Sequence, residues 1–396
     1  MTDPVAVGCH DGEMTDPVAV GLRVVAWYRA GHRELPWRAT GDPYRILVSE
    51  IMLQQTRVET VIGYYERFLQ AFPDVAALAG ASEEAVMALW QGLGYYSRAR
   101  NLQKAARQIL SRHGGAFPKE PGVLRQLAGI GPYTAGAIAS IAFGVPEPAV
   151  DGNVLRVAAR LGLVAEDILN AATRARITEM VRAMIPPAAA ADFTQGMMEL
   201  GATLCTPVNP ACGRCPVRAD CAALCAGCVD RLPVRSPKAP PQASNEAVFL
   251  VRDPQERLLL VYRHEGLLRG LWGLPHFESE AAEPDLSRLL EMPVIRQAVG
   301  KGTMVLRESA GSCRHVFTHR LWQMRIWWVD LLEANNSEEE TFGYKWLPEG
   351  QLGSVPMPEA FRKVLRVAGL SRKEQRRPGT GKGVEGSGNR KADGEA

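Results

Sequence analysis

The sequence predicts a multidomain protein, with an all-α domain first and a small α/β domain after it, and three observations support this prediction. Between residues 22 and 232, apolar residues recur every three or four positions and Gly or Pro interrupts them, as in a series of helices. Closely spaced cysteines end this part of the chain. After a proline-rich linker at 233–245, short apolar runs bounded by turn residues are typical of strands.

Both ends of the chain are predicted to lie outside the domains. Residues 1–8 recur word for word as residues 14–21, which is typical of a duplicated start region. We therefore expect the functional protein to begin near Met14 and residues 1–21 to form a disordered extension. Residues 369–396 are low in complexity and are predicted to form a disordered basic tail.

The composition allows domains of ordinary size but gives little guidance about partners. Of the 396 residues, 46% are hydrophobic, and the net charge is only +3. Seven basic and four acidic residues after Leu370 account for this charge, so any surface for nucleic acid has to be local. The chain opens without a signal sequence and has no stretch of membrane-spanning length, so we expect a reduced, cytoplasmic protein.

The helical run at 46–56 carries a single carboxylate, Glu50. By periodicity alone Glu50 would be a solvated helix position, but its Ile and Leu neighbours would desolvate it. Desolvation raises the pKa of a carboxyl group towards the range that suits a general acid. Further on, three basic residues fall on one helical face, where they could contact phosphate: Arg100, Lys104 and Arg107.

Residues 127–135 (Leu-Ala-Gly-Ile-Gly-Pro-Tyr-Thr-Ala) predict a helix, a tight turn through Gly129 and Gly131, and a second helix starting near Pro132. Such a turn leaves amide N–H groups open at a helix N-terminus, where they can hold a phosphate without reading sequence. Alone, this motif is weak evidence, since many such turns are only tight connections. Twenty positions after Gly131, Asp151 opens another helix, where the plain alternative is an N-cap aspartate.

Six of the eight cysteines lie between positions 205 and 228. Four of them have the spacing C-x6-C-x2-C-x5-C, which lets one loop wrap a metal centre: Cys205, Cys212, Cys215 and Cys221. Spacing alone leaves zinc and an iron–sulfur cluster open. A zinc site could also pair Cys212 and Cys215 with Cys225 and Cys228, as two C-x2-C knuckles.

Taken together, the hairpin, Asp151 and the cysteine loop resemble the helix-hairpin-helix DNA glycosylases of the endonuclease III superfamily. The string at 49–56 (Ser-Glu-Ile-Met-Leu-Gln-Gln-Thr) is similar to the adenine-specific branch, the MutY-type adenine DNA glycosylases. The resemblance covers residues 20–368. It implies a monomeric enzyme of base-excision repair that binds double-stranded DNA and hydrolyses the N-glycosidic bond of adenine mispaired with 8-oxoguanine or with G. It also implies a structural 4Fe–4S cluster on the first four cysteines, with Cys225 and Cys228 as non-ligands.

The resemblance implies roles for the catalytic residues. Glu50 would protonate N7 of adenine and later assist water, and Asp151 would stabilise or covalently trap the sugar cation, with Asn153 positioning Asp151. Tyr133 would help to hold the sugar and Asp151. It stands where strand-cutting relatives carry a Schiff-base lysine, and no lysine occurs from position 120 to 237. We therefore expect base removal without β-lyase activity.

Other positions match the family's contacts with DNA. The matches are Gln55 and Tyr95 for intercalation, Gly129 and Gly131 for phosphate, and, for the adenine pocket, Leu35, Trp37, Arg38 and Gln195. Taken without this context, a tyrosine beside a turn, as at Tyr95, is more often a packing residue.

The second domain, residues 246–368, resembles a Nudix fold at 270–275 (Gly-Leu-Trp-Gly-Leu-Pro). The acidic helix that a magnesium-dependent pyrophosphatase needs is missing, so a binding domain is expected instead. Within 314–319, the residues that match the 8-oxoguanine loop are Phe317, Thr318 and His319. Serine is the commoner family residue at Thr318, and threonine keeps its hydroxyl group.

Three other interpretations make different predictions. An endonuclease III-like glycosylase-lyase for oxidised pyrimidines would cut the strand without alkali, which Tyr133 argues against. A silent DNA-binding regulator with an iron–sulfur or zinc sensor would bind DNA without releasing a base. A Nudix hydrolase would cleave nucleotides with magnesium and would survive deletion of residues 1–232.

Overall fold

The computed structural model describes residues 16–237, 239–281, 284–333 and 343–370. As the periodicity predicts, the chain is helical up to residue 232. In chain order the helices of this part are α1 (Pro17–Gly31), α2 (Pro43–Leu53), α3 (Val58–Ala71), α4 (Val75–Gly80), α5 (Glu83–Trp90), α6 (Ser97–His113), α7 (Pro121–Leu124), α8 (Pro132–Phe143), α9 (Gly152–Leu161), α10 (Ala171–Met184), α11 (Ala190–Thr203) and α12 (Ala222–Cys225).

The helices begin and end where the sequence supplies caps. The side chains of Asp16 and Ser82 each accept a hydrogen bond from the amide three residues on, at the starts of α1 and α5. Gly114 and Gly144 follow α6 and α8 with positive φ of 60° and 68°, which is the usual glycine ending of a helix. Because α1 begins at Pro17, the predicted disordered extension 1–21 overlaps an ordered helix.

The helical part contains two apolar cores with α8 between them. The first core surrounds the side chains of Phe68 and Trp90 from α3 and α5. The second is formed by α1, α9, α10 and α11 and includes the buried Phe193. Helix α8 packs against α2 of the first core and α11 of the second. Side chains from both halves therefore meet at this junction.

The second part is built on a sheet with the strand order β3-β2-β1-β6-β5, with β4 also paired to β1 and β7 to β2. Only the β1–β6 pair is parallel among the described strands. The strands are β1 (Gln242–Arg252), β2 (Leu258–Tyr262), β3 (Trp272–Gly273), β4 (His276–Glu278), β5 (Met304–Val316), β6 (Arg320–Leu331) and β7 (Tyr344–Leu347). The helices are α13 (Leu286–Leu290), α14 (Pro293–Val299) and α15 (Glu359–Val367).

The segment between the two parts is shorter than the predicted linker. Strand β1 already begins at Gln242, inside the stretch 233–245. At the other end, Val234 accepts a hydrogen bond from the amide of Ile168, and Ser236 donates to the carboxylate of Asp167. The linker is therefore tied to the helical part through Ser236.

The second part also docks on the first through the loop before β3. Leu271 comes after the linker, in the second part of the chain. It is nevertheless 0% exposed and packs in the apolar core around Trp90 of the first part. Arg100 of α6 donates to the carbonyl of Arg269 at 2.5 Å. The glycine-rich string that resembles the start of a Nudix box thus serves as a docking element.

Two predictions fall partly outside the described residues. The repeat at the N-terminus lies there up to residue 15, and the basic tail lies there from residue 371. In the described ranges, no helix combines the length and apolar character that crossing a membrane requires.

Candidate active site

A cleft of about 630 Å³ lies at the junction of the two helical cores. It gathers side chains that are far apart in the sequence, and it includes every predicted catalytic and adenine-pocket residue. These are Leu35, Trp37, Arg38, Glu50, Tyr133, Asp151, Asn153 and Gln195, together with the predicted intercalating residue Gln55. The volume lies within the range that is usual for small-molecule sites.

Glu50 lies in the second half of α2, on the side that faces the cleft, and is only 6% exposed. The pKa of its carboxyl group is raised to about 7, mainly by burial and also by the nearby Asp151. The hydroxyl of Tyr133 and the charge of Arg38 act in the opposite direction. The expected desolvation is therefore present, and near neutral pH this carboxyl group exists in both protonation states.

Tyr133 reaches Glu50 from the second position of α8. Its hydroxyl group donates a short hydrogen bond to Oε2 of Glu50 and lies 3.8 Å from Sδ of Met198. Burial, then the charges of Glu50 and Asp151, raise the pKa of the phenol well above its usual value. Tyr133 is therefore a neutral donor that holds the carboxyl group of Glu50 in place.

Asp151 is the N-cap of α9. Its two carboxylate oxygens accept from the amide of Val154 at 2.7 Å and from the side-chain amide of Asn153 at 2.8 Å. Burial raises the pKa of this carboxyl group, whereas the two amides lower it, and burial outweighs them. The N-cap interpretation is therefore correct, and it is compatible with the catalytic one, because the capping residue also lines the cleft.

An ion-pair cluster around a buried carboxylate adjoins the cleft, which its two arginines line. Glu199 of α11 accepts from Nη2 of Arg33 and Nη2 of Arg38, both at 2.7 Å. Burial would raise the pKa of Glu199, but these two arginines outweigh it and lower the pKa to about 2. Sequence reasoning missed Arg33 and Glu199. The available signal was that Glu199 follows Gln195 by four positions, on the same face of a helix.

The two hairpin glycines differ in what they do. Gly129 has a φ of +73°, and a Cβ atom there would lie 2.6 Å from Cβ of Asn101, so the turn needs glycine. Gly131 has an ordinary negative φ, and a Cβ atom there would meet nothing within 4 Å. The surface at Gly131, at the N-terminus of α8, is therefore open to a ligand.

The two predicted intercalating residues share an unusual backbone conformation. Gln55 has a φ of 58° and Tyr95 a φ of 48°, which is the left-handed region that residues other than glycine seldom adopt. Tyr95 is 46% exposed. Such strain is characteristic of functional positions.

The basic residues after Tyr95 are arranged differently from the prediction of a phosphate-binding face. Arg107 donates to the carbonyls of Ala79 and Ala81, and Arg100 donates to that of Arg269. Both guanidinium groups are therefore bonded to main-chain carbonyls, and of the predicted face Lys104 and Arg107 are exposed whereas Arg100 is half-buried.

The four predicted metal-binding cysteines line one small cavity after α11. Among the described residues, no three His, Cys, Asp or Glu side chains converge as they would on a single metal ion. The buried guanidinium of Arg160 donates to Sγ of Cys205 at 3.3 Å, and such a donor suits a thiolate-ligated, negatively charged cluster. The cavity therefore fits a cluster bound by these four sulfur atoms.

The other two cysteines of this region are not part of that cavity lining. Cys228 is buried in a small apolar group with Ala223 and Leu232. The double C-x2-C arrangement for zinc, which needs Cys225 and Cys228, is thus not favoured by the packing.

A chain of hydrogen bonds connects the cysteine loop to Asp151. Arg156 of α9 donates to the carbonyl of Cys205 at 2.7 Å and to Oδ1 of Asn153 at 2.9 Å. Asn153 in turn donates to Asp151. Helix α9 thus has the carboxylate of Asp151 at its start and contacts the cysteine loop through Arg156.

The predicted lesion loop is the tight turn between β5 and β6. The amide of Phe317 donates to the carbonyl of Arg320 at 2.7 Å, and the Phe317 ring packs edge-on against Trp322. Thr318 and His319 are exposed at the tip. The hydroxyl of Thr318 lies 3.2 Å from that of Tyr95, so the loop lies beside the predicted intercalating residue.

Comparison with known protein families gives three matches along the chain. Residues 48–183 match the HhH-GPD superfamily of base excision DNA repair proteins. Residues 205–221 match the iron–sulfur binding domain of endonuclease III, and residues 247–367 match the NUDIX domain.

Whole-length relatives were also found. The chain is 34% identical over 416 residues to the adenine DNA glycosylase of Mus musculus, covering 92% of this chain and 79% of that one. It is 33% identical over 398 residues to the adenine DNA glycosylase of Homo sapiens, covering 87% and 73%. A solved thermostable thymine-DNA glycosylase superposes with a TM-score of 0.47 and 25% identity, over 52% of this chain and 95% of that one.

Proposed function

The chain belongs to the adenine DNA glycosylases, a family of base-excision repair enzymes, and on this premise we propose that it removes adenine paired with 8-oxoguanine or G without cutting the strand. DNA binding and a 4Fe–4S cofactor follow from the family matches. The observation that carries the proposal is the cleft in which Tyr133 holds Glu50 beside Asp151.

Base removal begins with extrusion of adenine into the cleft, where Leu35, Trp37, Arg38 and Gln195 would surround it. Protonated Glu50 donates its proton to N7 of adenine. The C1′–N9 bond then breaks, and its electron pair leaves with the neutral base. Because the pKa of Glu50 is about 7, a substantial fraction of the enzyme carries this proton at neutral pH.

Asp151 completes the reaction at the sugar. Its carboxylate, held by Asn153 and the amide of Val154, stabilises the cation at C1′ or forms a bond to it. Water then attacks C1′, which breaks any bond to Asp151 and frees its carboxylate, and gives its proton to the carboxylate of Glu50; this restores the acid and leaves an abasic site.

The absence of strand cleavage is supported by the side chain at position 133. A β-lyase needs an amine that forms a Schiff base with C1′. Tyr133 offers a neutral hydroxyl group that is already bonded to Glu50, and no lysine lines the cleft within the described residues.

Preference for 8-oxoguanine is supported by the position of the lesion loop. Phe317, Thr318 and His319 lie at the end of the second domain that approaches Tyr95. With Gln55 and Tyr95 inserted into the duplex, the loop would contact the base opposite adenine. Residues 246–368 would thus read the lesion, while residues 22–232 remove the adenine.

The backbone contacts would come from two further regions. The open surface at Gly131 and the adjoining N-terminus of α8 suit a phosphate group. The cluster, held by Cys205, Cys212, Cys215 and Cys221, would supply structural support for the loop that presents Arg214 and Arg218 to DNA. A single chain contains all of these parts, so we propose that it acts as a monomer.

The test is single-turnover incubation with four duplexes that contain A opposite 8-oxoguanine, A opposite G, A opposite T, and thymine glycol. We expect nicks only after alkali, formed fastest opposite 8-oxoguanine. The Asp151→Asn variant should bind the same duplexes without releasing base. Nicking of thymine glycol without alkali would instead establish a lyase for oxidised pyrimidines, and binding without any product would establish a silent regulator.

A further inference from the structure

Arg98 is a buried arginine that the mechanism above does not use. It lies in the first turn of α6, three residues after Tyr95, and only 8% of it is exposed. Burial lowers the pKa of its guanidinium to about 10, so it remains charged at neutral pH. A buried charge of this kind needs polar partners, and their identity indicates what the residue does.

The partners of Arg98 come from two separate loops. Its Nη1 donates to three carbonyls at the end of α2 and just after it, at 2.6–2.9 Å: Ile51, Met52 and Gln54. Its Nη2 donates to the hydroxyl of Thr56 at 3.2 Å and, at 3.1 Å, to the carbonyls of Leu93 and Gly94. One planar group therefore fastens two loops that lie about 40 positions apart in the sequence.

These carbonyls include the two that precede the strained residues. The carbonyl of Gln54 belongs to the peptide before Gln55, and that of Gly94 to the peptide before Tyr95. Both of these residues have positive φ, so their conformations need an external restraint. The guanidinium carbon also lies 5.5 Å from the centre of the Tyr95 ring.

The same group contacts the helix that carries Glu50. Ile51 and Met52 follow Glu50 directly, and their carbonyls lie at the C-terminal end of α2, where positive charge is favourable. Arg98 therefore links the helix that carries Glu50 to the peptides that precede Gln55 and Tyr95.

We propose that Arg98 is a positioning residue that holds Gln55 and Tyr95 at a fixed separation, so that they enter the duplex together and extrude the adenine towards Glu50. This inference rests on the proposed function. A lysine at this position keeps the charge but has a single nitrogen with three N–H donors, too few for the six acceptors of Arg98, so the conservative substitution is informative.

The test measures base extrusion apart from chemistry. Arg98→Lys and the control Arg107→Lys are made in the Asp151→Asn background, and each is mixed with a duplex that has 2-aminopurine opposite 8-oxoguanine. The fluorescence rise reports extrusion. Arg107 is a matched control because it lies on the same helix and also donates to main-chain carbonyls, away from the cleft.

We expect Arg98→Lys to slow extrusion about tenfold, the effect of a lost charged contact, and Arg107→Lys to leave it within about twofold. A merely structural role would lower the melting temperature and the active fraction without changing the rate constant of the active molecules. Active-site titration of the same two variants with Asp151 restored separates these cases. Equal extrusion rates for the two lysine variants would overturn the inference.

A milder variant covers the case in which Arg98→Lys does not fold. Thr56→Val removes the one side-chain acceptor that Arg98 has among the described residues and should slow extrusion about threefold. An unchanged rate in this variant would count against the inference. If the protein with Arg98 intact extrudes nothing from this duplex, the proposed function fails, and the inference fails with it.

Discussion

At the scale of single residues, the pKa of Glu50 controls the pH dependence of the proposed reaction. Because Glu50 acts in its protonated form and its pKa is about 7, the rate should fall about tenfold per pH unit above that value. Asp151 acts in its ionised form, and its raised pKa places the acid limb above that of an exposed aspartate. Because the two carboxyl groups interact, the apparent pKa values of the acid and alkaline limbs describe the pair and not either residue alone.

Single-turnover rates between pH 5 and 9 on A opposite 8-oxoguanine measure this profile. We expect a bell-shaped curve for the native protein. The residual rate of Glu50→Gln should lack the alkaline limb, since glutamine does not titrate. A native rate that stays constant up to pH 9 would show that Glu50 is not the acid.

The same carboxyl group should also affect stability. Its folded-state pKa of about 7 lies above its ordinary value of 4.5, so its stabilising contribution is complete below pH 4.5 and is lost as the pH rises through 7. The loss is on the order of 3 kcal/mol. Glu50→Gln should therefore gain stability relative to the native protein between pH 5 and 8. Urea denaturation at both pH values checks this, and a constant difference would contradict it.

The residues that sequence could identify are those inside short motifs. Glu50, Tyr133 and Asp151 lie in recognisable strings, and the structure places all three in one cleft. Arg33 and Glu199 were missed, because their ion pair forms only when segments 166 positions apart meet. Periodicity alone would likewise have left Glu50 on the surface.

At the scale of elements, the hairpin between α7 and α8 gives opposite expectations for its two glycines. Gly129→Ala adds a methyl group where φ is positive and Asn101 is 2.6 Å away, so it should destabilise the fold by about 1–3 kcal/mol. Gly131→Ala has free space and an ordinary φ, so its melting temperature should be nearly unchanged.

Gly131→Ala should weaken DNA binding even though it leaves stability unchanged, because the new methyl group points to the surface proposed for phosphate. We expect affinity to fall about tenfold on any duplex, whatever its sequence. Fluorescence anisotropy with labelled duplexes measures this. Normal affinity in Gly131→Ala would show that this turn does not bind a DNA phosphate.

The cysteine loop gives a second matched pair. Cys212→Ser should remove one proposed cluster ligand, lower the iron content and abolish the absorbance near about 400 nm that is expected of thiolate-bound iron. Cys228→Ser should keep the iron, because Cys228 packs in an apolar group. Iron analysis and absorbance of the two purified variants decide this. Loss of iron from both would make Cys228 a ligand as well.

The elements were predictable to different degrees. The helices of the first domain could be read from periodicity and caps, but no sustained apolar run marks β5, where every residue in Met304–Val316 is half-buried or exposed. Its stability comes from pairing along β6, which is a long-range contact. The strands β3 and β4 have only two and three residues, which is too short for an alternating pattern to appear in the sequence.

At the scale of the whole molecule, Leu271 fixes the position of the second domain on the first. Leu271→Ser would place a hydroxyl group in the core around Trp90 and should undock the domain. We expect the preference for 8-oxoguanine over G to fall about tenfold, the size of one lost buried contact, while the rate opposite G stays within about twofold. Leu267→Ser, at a residue 40% exposed, is the control.

Single-turnover rates on the two mispairs measure this preference. An unchanged preference in Leu271→Ser would show that lesion reading does not depend on docking. This part of the architecture could not be predicted from the sequence, where residues 270–275 resemble only the start of a Nudix box. An apolar residue such as Leu271 is expected to be buried, but whether it packs in its own domain or in the other one depends on how the two domains are arranged.

The linker adds a consequence for this arrangement. Since Ser236 is tied to Asp167 and β1 starts at Gln242, only a short tether separates the domains, with a reach of about 20 Å. A tether of this length gives the second domain an effective concentration in roughly the millimolar range at its docking surface. A contact too weak to hold two separate proteins together is therefore enough to keep the lesion loop next to Tyr95 before any DNA arrives.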